Sequence, residues 1–161
     1  LYNHFMQYSE ATNSRSVFNE ILEWNIPGVI LCITDRFFAI LTNKPSQTWH
    51  TLLIPKRCGV QYSDFTREEL LEYAILKQIL IKALWDIYCT QENWRKIGEH
   101  VSWFEVRNHY HEHFIPAEKW TQVTLQWATE VSMEEREIEA VKIRWAIAWL
   151  KSQYSDIINF Y

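Results

Sequence analysis

The chain has 161 residues, of which 48% are hydrophobic, 16% aromatic and 22% charged. This length and composition indicate one globular domain and exclude a disordered chain. The formal net charge of -4 argues against a general nucleic-acid coat protein, because such binding depends on lysine and arginine neutralising phosphates. Three cysteines without a Cys-x-x-Cys pair predict neither a disulfide framework nor a zinc knuckle, and they favour an intracellular location in the cytoplasm or nucleus.

The first residues, 1–16, have no clean hydrophobic period and predict a loosely held N-terminal arm. They lack the basic and then apolar order of a secretory signal, and no apolar run approaches the length of a membrane span, so we expect no membrane association. Since the sequence starts with leucine rather than methionine, an organelle location after removal of a targeting peptide stays an open alternative.

The middle of the chain predicts an antiparallel sheet with one long helix packed on it. Runs of β-branched and apolar residues indicate strands, and a capping box of Thr66 and Glu69 marks the start of the helix. Residues 16–24 fit either a short strand or a helical turn. The further predicted elements are, in chain order, strands over 28–34, 37–41 and 50–55, a helix over 66–88, a polar loop over 90–99 and a fourth strand over 101–106.

The C-terminal part predicts a helical extension. Residues 118–131 fit either a strand or a helix, and a second capping box, Ser132 with Glu135, begins a helix over about 133–154. One apolar stripe of this helix is expected to join the core or to contact a partner. The stripe holds Ile138, Val141, Trp145, Ala148 and Trp149. A protein partner or a homodimer formed through this tryptophan-rich helix is therefore an open alternative.

Three histidines, His109, His111 and His113, alternate with large residues just before Pro116. Because successive side chains of an extended strand point to opposite faces, we expect the histidines in one row, and Pro116 should close the strand. The residues expected on the opposite face are Tyr110, Glu112 and Phe114. One row of imidazoles can bind a phosphate or a zinc ion, but a fourth zinc ligand is not evident, so we predict no metal and no cofactor.

This histidine strand resembles the signature of the histidine triad (HIT) superfamily. The segments Phe38-Ala-Ile-Leu-Thr-Asn-Lys-Pro45 and His50-Thr-Leu-Leu-Ile-Pro-Lys-Arg57 are similar to the family's strand, proline loop and returning strand. The resemblance covers roughly residues 28–116. It implies an α+β fold, in which a HIT-like antiparallel sheet of about five strands carries one long helix, plus the C-terminal helical extension.

The resemblance also divides the chain and suggests a branch of the superfamily. It implies a HIT-like domain over 17–116, followed by an extension over 117–161 that packs on the same domain or on a partner. The stretch Val101-Ser-Trp-Phe-Glu105, followed by the histidine strand and Ile115-Pro116, looks most like the CwfJ branch. Proteins of that branch are associated with splicing and with debranching of intron lariats.

The activity implied by the resemblance is that of a nucleotide hydrolase or transferase. In HIT enzymes the middle histidine attacks the α-phosphorus, which implies His111 as the nucleophile and a nucleotidyl-histidine intermediate. His109 and His113 would flank it, hold phosphate oxygens and stabilise developing charge. The remaining nucleotide-binding candidates are His50 behind the site, Asn43 or Thr42 at the ribose, and Arg107.

Two departures from the family pattern support an alternative function. The stretch Trp103-Phe-Glu-Val-Arg-Asn108 has no glycine or hydroxyl where the family binds phosphate. Glu112 occupies a position that is normally apolar, and a buried carboxylate requires a partner. The alternative is a catalytically inactive HIT or CwfJ-like module that serves as a structural or RNA-processing subunit, with an RNA 5' or branch phosphate, or a protein, as its partner.

Overall fold

Among the residues that the structure describes, five antiparallel strands form one sheet, and two long helices pack on one of its faces. The computed structural model describes residues 16–88, 95–101, 109–118 and 129–161. The elements are α1 (Val17–Leu22), β1 (Val29–Ile33), β2 (Phe37–Leu41), β3 (Thr51–Pro55), α2 (Arg67–Tyr88), β4 (Arg95–Val101), β5 (Glu112–Glu118) and α3 (Met133–Lys151). The strand order is β1-β2-β3-β5-β4, so the predicted α+β fold is confirmed.

Each face of the sheet carries its own apolar cluster. The larger cluster joins the sheet to α2 and α3, and the smaller one joins it to α1. Because side chains alternate along a strand, the neighbours Ala39 and Ile40 of β2 belong to different clusters. The smaller cluster consists of Phe18, Ile30, Phe38, Ile40, Leu52 and Ile54. The histidines lie next to this smaller cluster, on the same face of the sheet.

Helix α1 resolves the predicted choice between strand and helix over 16–24. Ser16 is its N-cap, and a capping box with Asn19 satisfies free backbone donors at the start of the helix. Gly28 lets the chain return closely under α1, because a Cβ at this position would lie 2.3 Å from Cγ2 of Ile21. Residues 1–15, for which an arm was predicted, lie outside the described residues.

Strand β4 lies at a different position from the predicted fourth strand. The predicted loop over 90–99 is wrong for residues 95–99, which pair with β5 from Arg95 opposite Glu118 to Val101 opposite Glu112. The charged residues and Gly98 of this stretch have low strand propensity, but pairing with a neighbouring strand overrides such local preferences. Residues 102–106, the rest of the predicted strand, lie outside the described residues.

Strand β5 starts and ends later than predicted. His109, Tyr110 and His111 precede its first residue, and the strand continues through Pro116 to Glu118. The prediction that Pro116 closes the strand is therefore wrong. Since β3 pairs with β5 only as far as Phe114, the missing N–H of Pro116 costs no hydrogen bond to β3.

Helix α3 packs against α2 and beside the edge strand β1. Its predicted capping box is present, because the amide of Glu135 donates to Oγ of Ser132 and the amide of Ser132 donates to the Glu135 carboxylate, each at 3.2 Å. Nε of Arg144 donates to the carbonyl of Ile30 at 2.8 Å, and the amide of Tyr161 donates to the carbonyl of Ile33 at 2.9 Å. Both carbonyls lie on the outer edge of the sheet.

The predicted apolar stripe of α3 does not belong to the core. The helix buries a different set, Ala140, Ile143, Ile147 and Leu150. The stripe residues are exposed, because the helix is apolar on two opposite sides and its sequence period does not say which side meets the sheet. None of the described helices is long and apolar enough to cross a membrane.

Candidate active site

The three histidines of the triad lie on the α1 face of the sheet. His113 pairs with Leu52 of β3, which belongs to the smaller apolar cluster, whereas Phe114 belongs to the larger cluster on the other face. The ring centroids of His111 and His113 are 5.0 Å apart. Phe18 of α1 contacts His109 and His111 edge-on, at centroid distances of 5.4 and 5.2 Å. Helix α1 therefore packs directly against the triad.

Both ring nitrogens of His109 are held by the protein itself. Nε2 lies 2.6 Å from the carbonyl oxygen of Pro55, which can only accept, so Nε2 carries the proton. Nδ1 is then the acceptor for Oγ of Ser16, at 2.5 Å. Burial lowers the pKa of His109, and this effect outweighs the hydrogen bond to the Pro55 carbonyl, which raises it. The lowered pKa agrees with a neutral ring. These bonds fix the position and tautomer of His109.

His111 has the tautomer that a nucleophile needs. Its Nδ1 donates to the carbonyl oxygen of His109 at 2.9 Å, which leaves the lone pair on Nε2. The Nε2 atom is buried and has no hydrogen-bond partner among the described residues. Burial also lowers the pKa of His111, so the imidazole stays neutral below the usual histidine pKa.

His50 and His113 form a chain of hydrogen bonds that begins in the loop between β2 and β3. The amide of Ser46 donates to Nδ1 of His50 at 3.1 Å, so the proton of His50 lies on Nε2. This Nε2 donates to Nδ1 of His113 at 2.7 Å, so the proton of His113 lies on its own Nε2. The pKa of His50 is lowered to about 4, mainly because the ring is buried and in part because of the electrostatic effect of His111.

The imidazoles of His111 and His113 therefore present opposite hydrogen-bonding groups at Nε2, one an acceptor and the other a donor. Nε2 of His111 offers a lone pair, and Nε2 of His113 offers a proton donor beside it. A lone pair can form a bond to an electrophilic centre, and the neighbouring N–H can stabilise an oxygen that gains negative charge. This pairing is suited to attack on a phosphoryl group.

Comparison with known proteins identifies the family. A family model described as the HIT domain matches residues 23–120. The chain belongs to the HIT family. The adenosine 5'-monophosphoramidase HNT1 of Saccharomyces cerevisiae is 33% identical over 112 residues, which cover 69% of this chain and 68% of that protein.

Solved structures of HIT proteins share the fold. A HIT-like protein from Bartonella henselae has a TM-score of 0.70 at 24% identity and covers 84% of this chain and 98% of its own. A hypothetical histidine triad nucleotide-binding protein from Sulfolobus tokodaii has a TM-score of 0.65 at 24% identity, and the match covers 83% of this chain and 93% of that protein. These structures show the fold, whereas the family model and the relative HNT1 show the superfamily; none of these comparisons gives evidence for the CwfJ branch.

The back of the HIT triad strand contains a buried carboxylate with two partners. Glu112 accepts hydrogen bonds from Oη of Tyr73 and, at 3.0 Å, from Nζ of Lys77, both on α2. Burial and the Glu112 carboxylate raise the pKa of Tyr73, which keeps the phenol protonated as a donor. Glu112 therefore joins α2 to the strand that carries the triad, and the departure from the family pattern is compensated.

The other predicted nucleotide-binding residues are not all brought to the triad. Thr42 and Asn43 lie in the loop between β2 and β3, where Nδ2 of Asn43 donates to Glu130 at 3.3 Å. Thr42 and His50 line a cavity of about 700 Å³ between this loop and the start of α3. Arg107 lies outside the described residues.

Sequence reasoning missed several residues that position the HIT triad. Ser16 and the Pro55 carbonyl orient His109, the Ser46 amide orients His50, and Tyr73 with Lys77 hold the back of the strand. Only Ser16 carried a local signal, because serine three residues before Asn19 fits a helix N-cap. Among the described residues, no group of three His, Cys, Asp or Glu side chains could hold a metal ion.

Proposed function

We propose that this HIT protein hydrolyses or transfers nucleotides by attack of His111 Nε2 on the α-phosphorus, through a nucleotidyl-histidine intermediate. The observation that carries the proposal is the hydrogen bond from Nδ1 of His111 to the His109 carbonyl, which directs the lone pair to Nε2. The relative HNT1 is an adenosine 5'-monophosphoramidase. Nucleoside phosphoramidates are therefore the first substrate class to consider, and dinucleoside polyphosphates are the second.

The reaction proceeds in two displacements. In the first, the lone pair of His111 Nε2 forms a bond to the α-phosphorus, and the bond from phosphorus to the leaving group breaks with its electron pair. In the second, water attacks the same phosphorus and the bond to Nε2 breaks, which releases the nucleoside monophosphate. The leaving group takes up a proton from solvent as it departs in the first displacement, and the proton released by the attacking water in the second returns to solvent, so one water molecule is consumed overall. Nε2–H of His113 donates to a phosphoryl oxygen in both steps and stabilises its charge.

The residues around His111 and His113 set the protonation of these two rings and line the neighbouring cavity. His50 fixes the proton of His113 on Nε2, and His109 offers its carbonyl to His111 while its own ring is held by Ser16. Thr42 lines a cavity whose volume suits a small molecule, which supports its role near the ribose. A neutral His111 requires no proton removal before attack, since burial lowers its pKa.

Intact-mass measurement with parallel detection of product tests this proposal. Wild-type protein and a His111→Asn variant are incubated briefly with adenosine 5'-monophosphoramidate and with a panel of dinucleoside polyphosphates. Asparagine keeps an amide near the His109 carbonyl but has no Nε2 atom, so the variant should stay folded and release no product. Turnover by the wild type alone supports the proposal. Equal turnover by both proteins would exclude His111 as the nucleophile.

A catalytically inactive HIT module, acting as a structural or RNA-processing subunit of the CwfJ type, is the second candidate function. Two observations favour it: His111 is fully buried, and two tryptophans of α3 are exposed. In the same experiment, folded wild-type protein that turns over no member of the panel would support this candidate. We also propose an intracellular location, which the odd number of cysteines and the lack of a Cys-x-x-Cys pair in the sequence support.

A further inference from the structure

The nitrogen atom proposed as the nucleophile is closed to a substrate in this structure. His111 is 0% exposed, and its Nε2 atom has no hydrogen-bond partner among the residues that the structure describes. Attack on phosphorus requires the reacting atoms to approach to about 3–3.5 Å, so a phosphate must first reach this atom. If His111 acts as proposed above, a group that covers its ring must therefore move before a substrate binds.

Phe18 of helix α1 covers the ring of His111. The two ring centroids are 5.2 Å apart with an angle of 61° between the ring planes, and the same phenyl ring contacts His109. The other members of the smaller apolar cluster on this face belong to strands β1, β2 and β3. Because movement of a strand would break its pairing within the sheet, Phe18 is the member of the cluster that can move most easily.

Helix α1 has a small buried surface for a helix that covers a candidate active site. Of its six residues the structure buries only Phe18, whereas α2 buries ten residues and α3 four. A helix of this length is not stable by itself in water, so its position depends on contacts with the sheet. Segments with few buried side chains open far more often than the whole protein unfolds. Local opening of α1 is therefore a route to His111 that leaves the sheet intact.

The two ends of α1 differ in how they are attached. At its C-terminal end, Ile21 packs against Gly28, where an added Cβ would lie 2.3 Å from Cγ2 of Ile21. Near its N-terminal end, Oγ of Ser16 donates to Nδ1 of His109, and Nδ2 of Asn19 donates to a backbone carbonyl at 3.2 Å. Water can replace both hydrogen bonds when the start of the helix moves away, whereas it cannot replace the apolar contact of Ile21. Opening is therefore expected at the first turn.

We propose that the first turn of α1 is a lid over His111, closed in the free protein and opened to admit the phosphate of a substrate. The lid turns about the end of α1 that packs against Gly28, and its opening withdraws the Phe18 ring from Nε2 of His111. A substrate phosphate occupies the space that the ring leaves, so substrate binding shifts the population towards the open form. The lid rests on the proposed function, because it controls access to the nitrogen that performs the attack.

Diethyl pyrocarbonate tests the lid without requiring turnover. The lone pair of His111 Nε2 attacks a carbonyl carbon of the reagent, and the bond from that carbon to the bridging oxygen breaks. Monoethyl carbonate leaves, takes up the proton lost from Nδ1 and decomposes to carbon dioxide and ethanol, while the ring keeps the ethoxycarbonyl group. Burial lowers the pKa of His111, so protonation does not slow this reaction at neutral pH. Tandem mass spectrometry of peptides measures the rate at His111 itself.

The rate at His111 should depend on the residues that hold and form the lid. Wild-type His111 should react at least about tenfold more slowly than N-acetylhistidine, because the rate follows the population of the open form. Phe18→Ala should raise the rate by about tenfold, since it removes the cover. Ser16→Ala, which removes a hydrogen bond and keeps the Phe18 ring, should raise it as well. Phe65→Ala is the matched control and should leave the rate unchanged, because it truncates a buried ring of the larger cluster on the other face.

Three results would overturn the lid, once circular dichroism establishes that the variants are folded. Equal rates for wild-type His111 and N-acetylhistidine would show that nothing covers the ring. An unchanged rate in both Phe18→Ala and Ser16→Ala would show that α1 is not the cover. An equal increase in Phe65→Ala and Phe18→Ala would show that the reagent enters by unfolding of the whole protein.

Turnover of adenosine 5'-monophosphoramidate by the same proteins separates the lid from the proposed reaction. Turnover by the wild type together with any of these three results would exclude the lid and keep the reaction at His111. Faster modification of His111 in Phe18→Ala and Ser16→Ala, without turnover by any of the proteins, would support the lid and exclude the reaction with this substrate.

Discussion

Oγ of Ser16 lies 2.5 Å from Nδ1 of His109, although 93 positions separate the two residues in the chain. The serine that begins α1 therefore also orients the first histidine of the triad. The same oxygen takes part in the capping box of the helix, so one hydroxyl links a local and a distant contact. Each contact has a measurable effect on stability.

Replacement of Ser16 by alanine should lower the free energy of unfolding by about 2–3 kcal/mol. Loss of an N-cap costs about 1 kcal/mol, and a buried Nδ1 of His109 without its donor adds about 1–2 kcal/mol. Ser132→Ala is the matched control, because Ser132 forms a similar capping box at the exposed start of α3 and should lose about 1 kcal/mol. Urea unfolding of both variants measures the difference. Equal losses would show that the bond to His109 adds nothing.

Replacement of Glu112 by alanine should lower the free energy of unfolding by about 3 kcal/mol. Removal of one partner of a buried ion pair leaves the other charge and the Tyr73 hydroxyl poorly compensated. The matched control is Glu137→Ala, because Glu137 pairs with Arg144 in a half-exposed position and should lose less than about 1 kcal/mol. Thermal and urea unfolding provide the comparison. Similar losses for the two variants would contradict a stabilising role of the buried pair.

The stability of the protein should fall as pH decreases from about 6.5 towards 4. Burial lowers the pKa of His50 from 6.5 to about 4 and also lowers those of His109 and His111. In this window the unfolded chain binds protons that the folded chain does not, so acid favours unfolding. The full shift of His50 corresponds to a loss on the order of 3 kcal/mol.

Urea unfolding at pH 6.5 and pH 5 isolates this histidine effect. Glu69 titrates below its usual value of 4.5 in the folded protein, so carboxylates of this kind contribute mainly at lower pH. His50→Gln should reduce the dependence on pH between these two values. Constant stability of the wild type over this interval would show that the buried histidines do not set its acid response.

Short sequence patterns predicted the features of the fold that depend on residues a few positions apart, namely the starts of helices and the faces of strands. The capping boxes at Thr66 and Ser132 are visible in the sequence because serine or threonine and glutamate stand three residues apart, and both are present in the structure. Alternation placed Glu112 opposite the histidines. Its partners, Tyr73 and Lys77, depend on the rotation of α2 about its own axis, and no pattern within the strand encodes that rotation.

Contacts between distant segments account for what could not be predicted. Residues 95–99 have the composition of a loop, and β5 makes them a strand by pairing. The bond from Ser16 to His109 joins elements whose relative position depends on the whole sheet. The two apolar sides of α3 are similar in sequence, so the choice of the buried side follows from its fit to α2 and β1.

The covering of strand β1 has a consequence for aggregation. An unprotected edge strand offers its free carbonyls and amides to any extended chain, which is a common start of sheet-to-sheet association. In this protein, Arg144 occupies the carbonyl of Ile30, and the amide of Tyr161 occupies that of Ile33. Removal of Phe160 and Tyr161 would uncover part of this edge without removing any residue that contacts the triad. These two residues thus protect strand β1, at the opposite edge of the sheet from β4, against pairing with other chains.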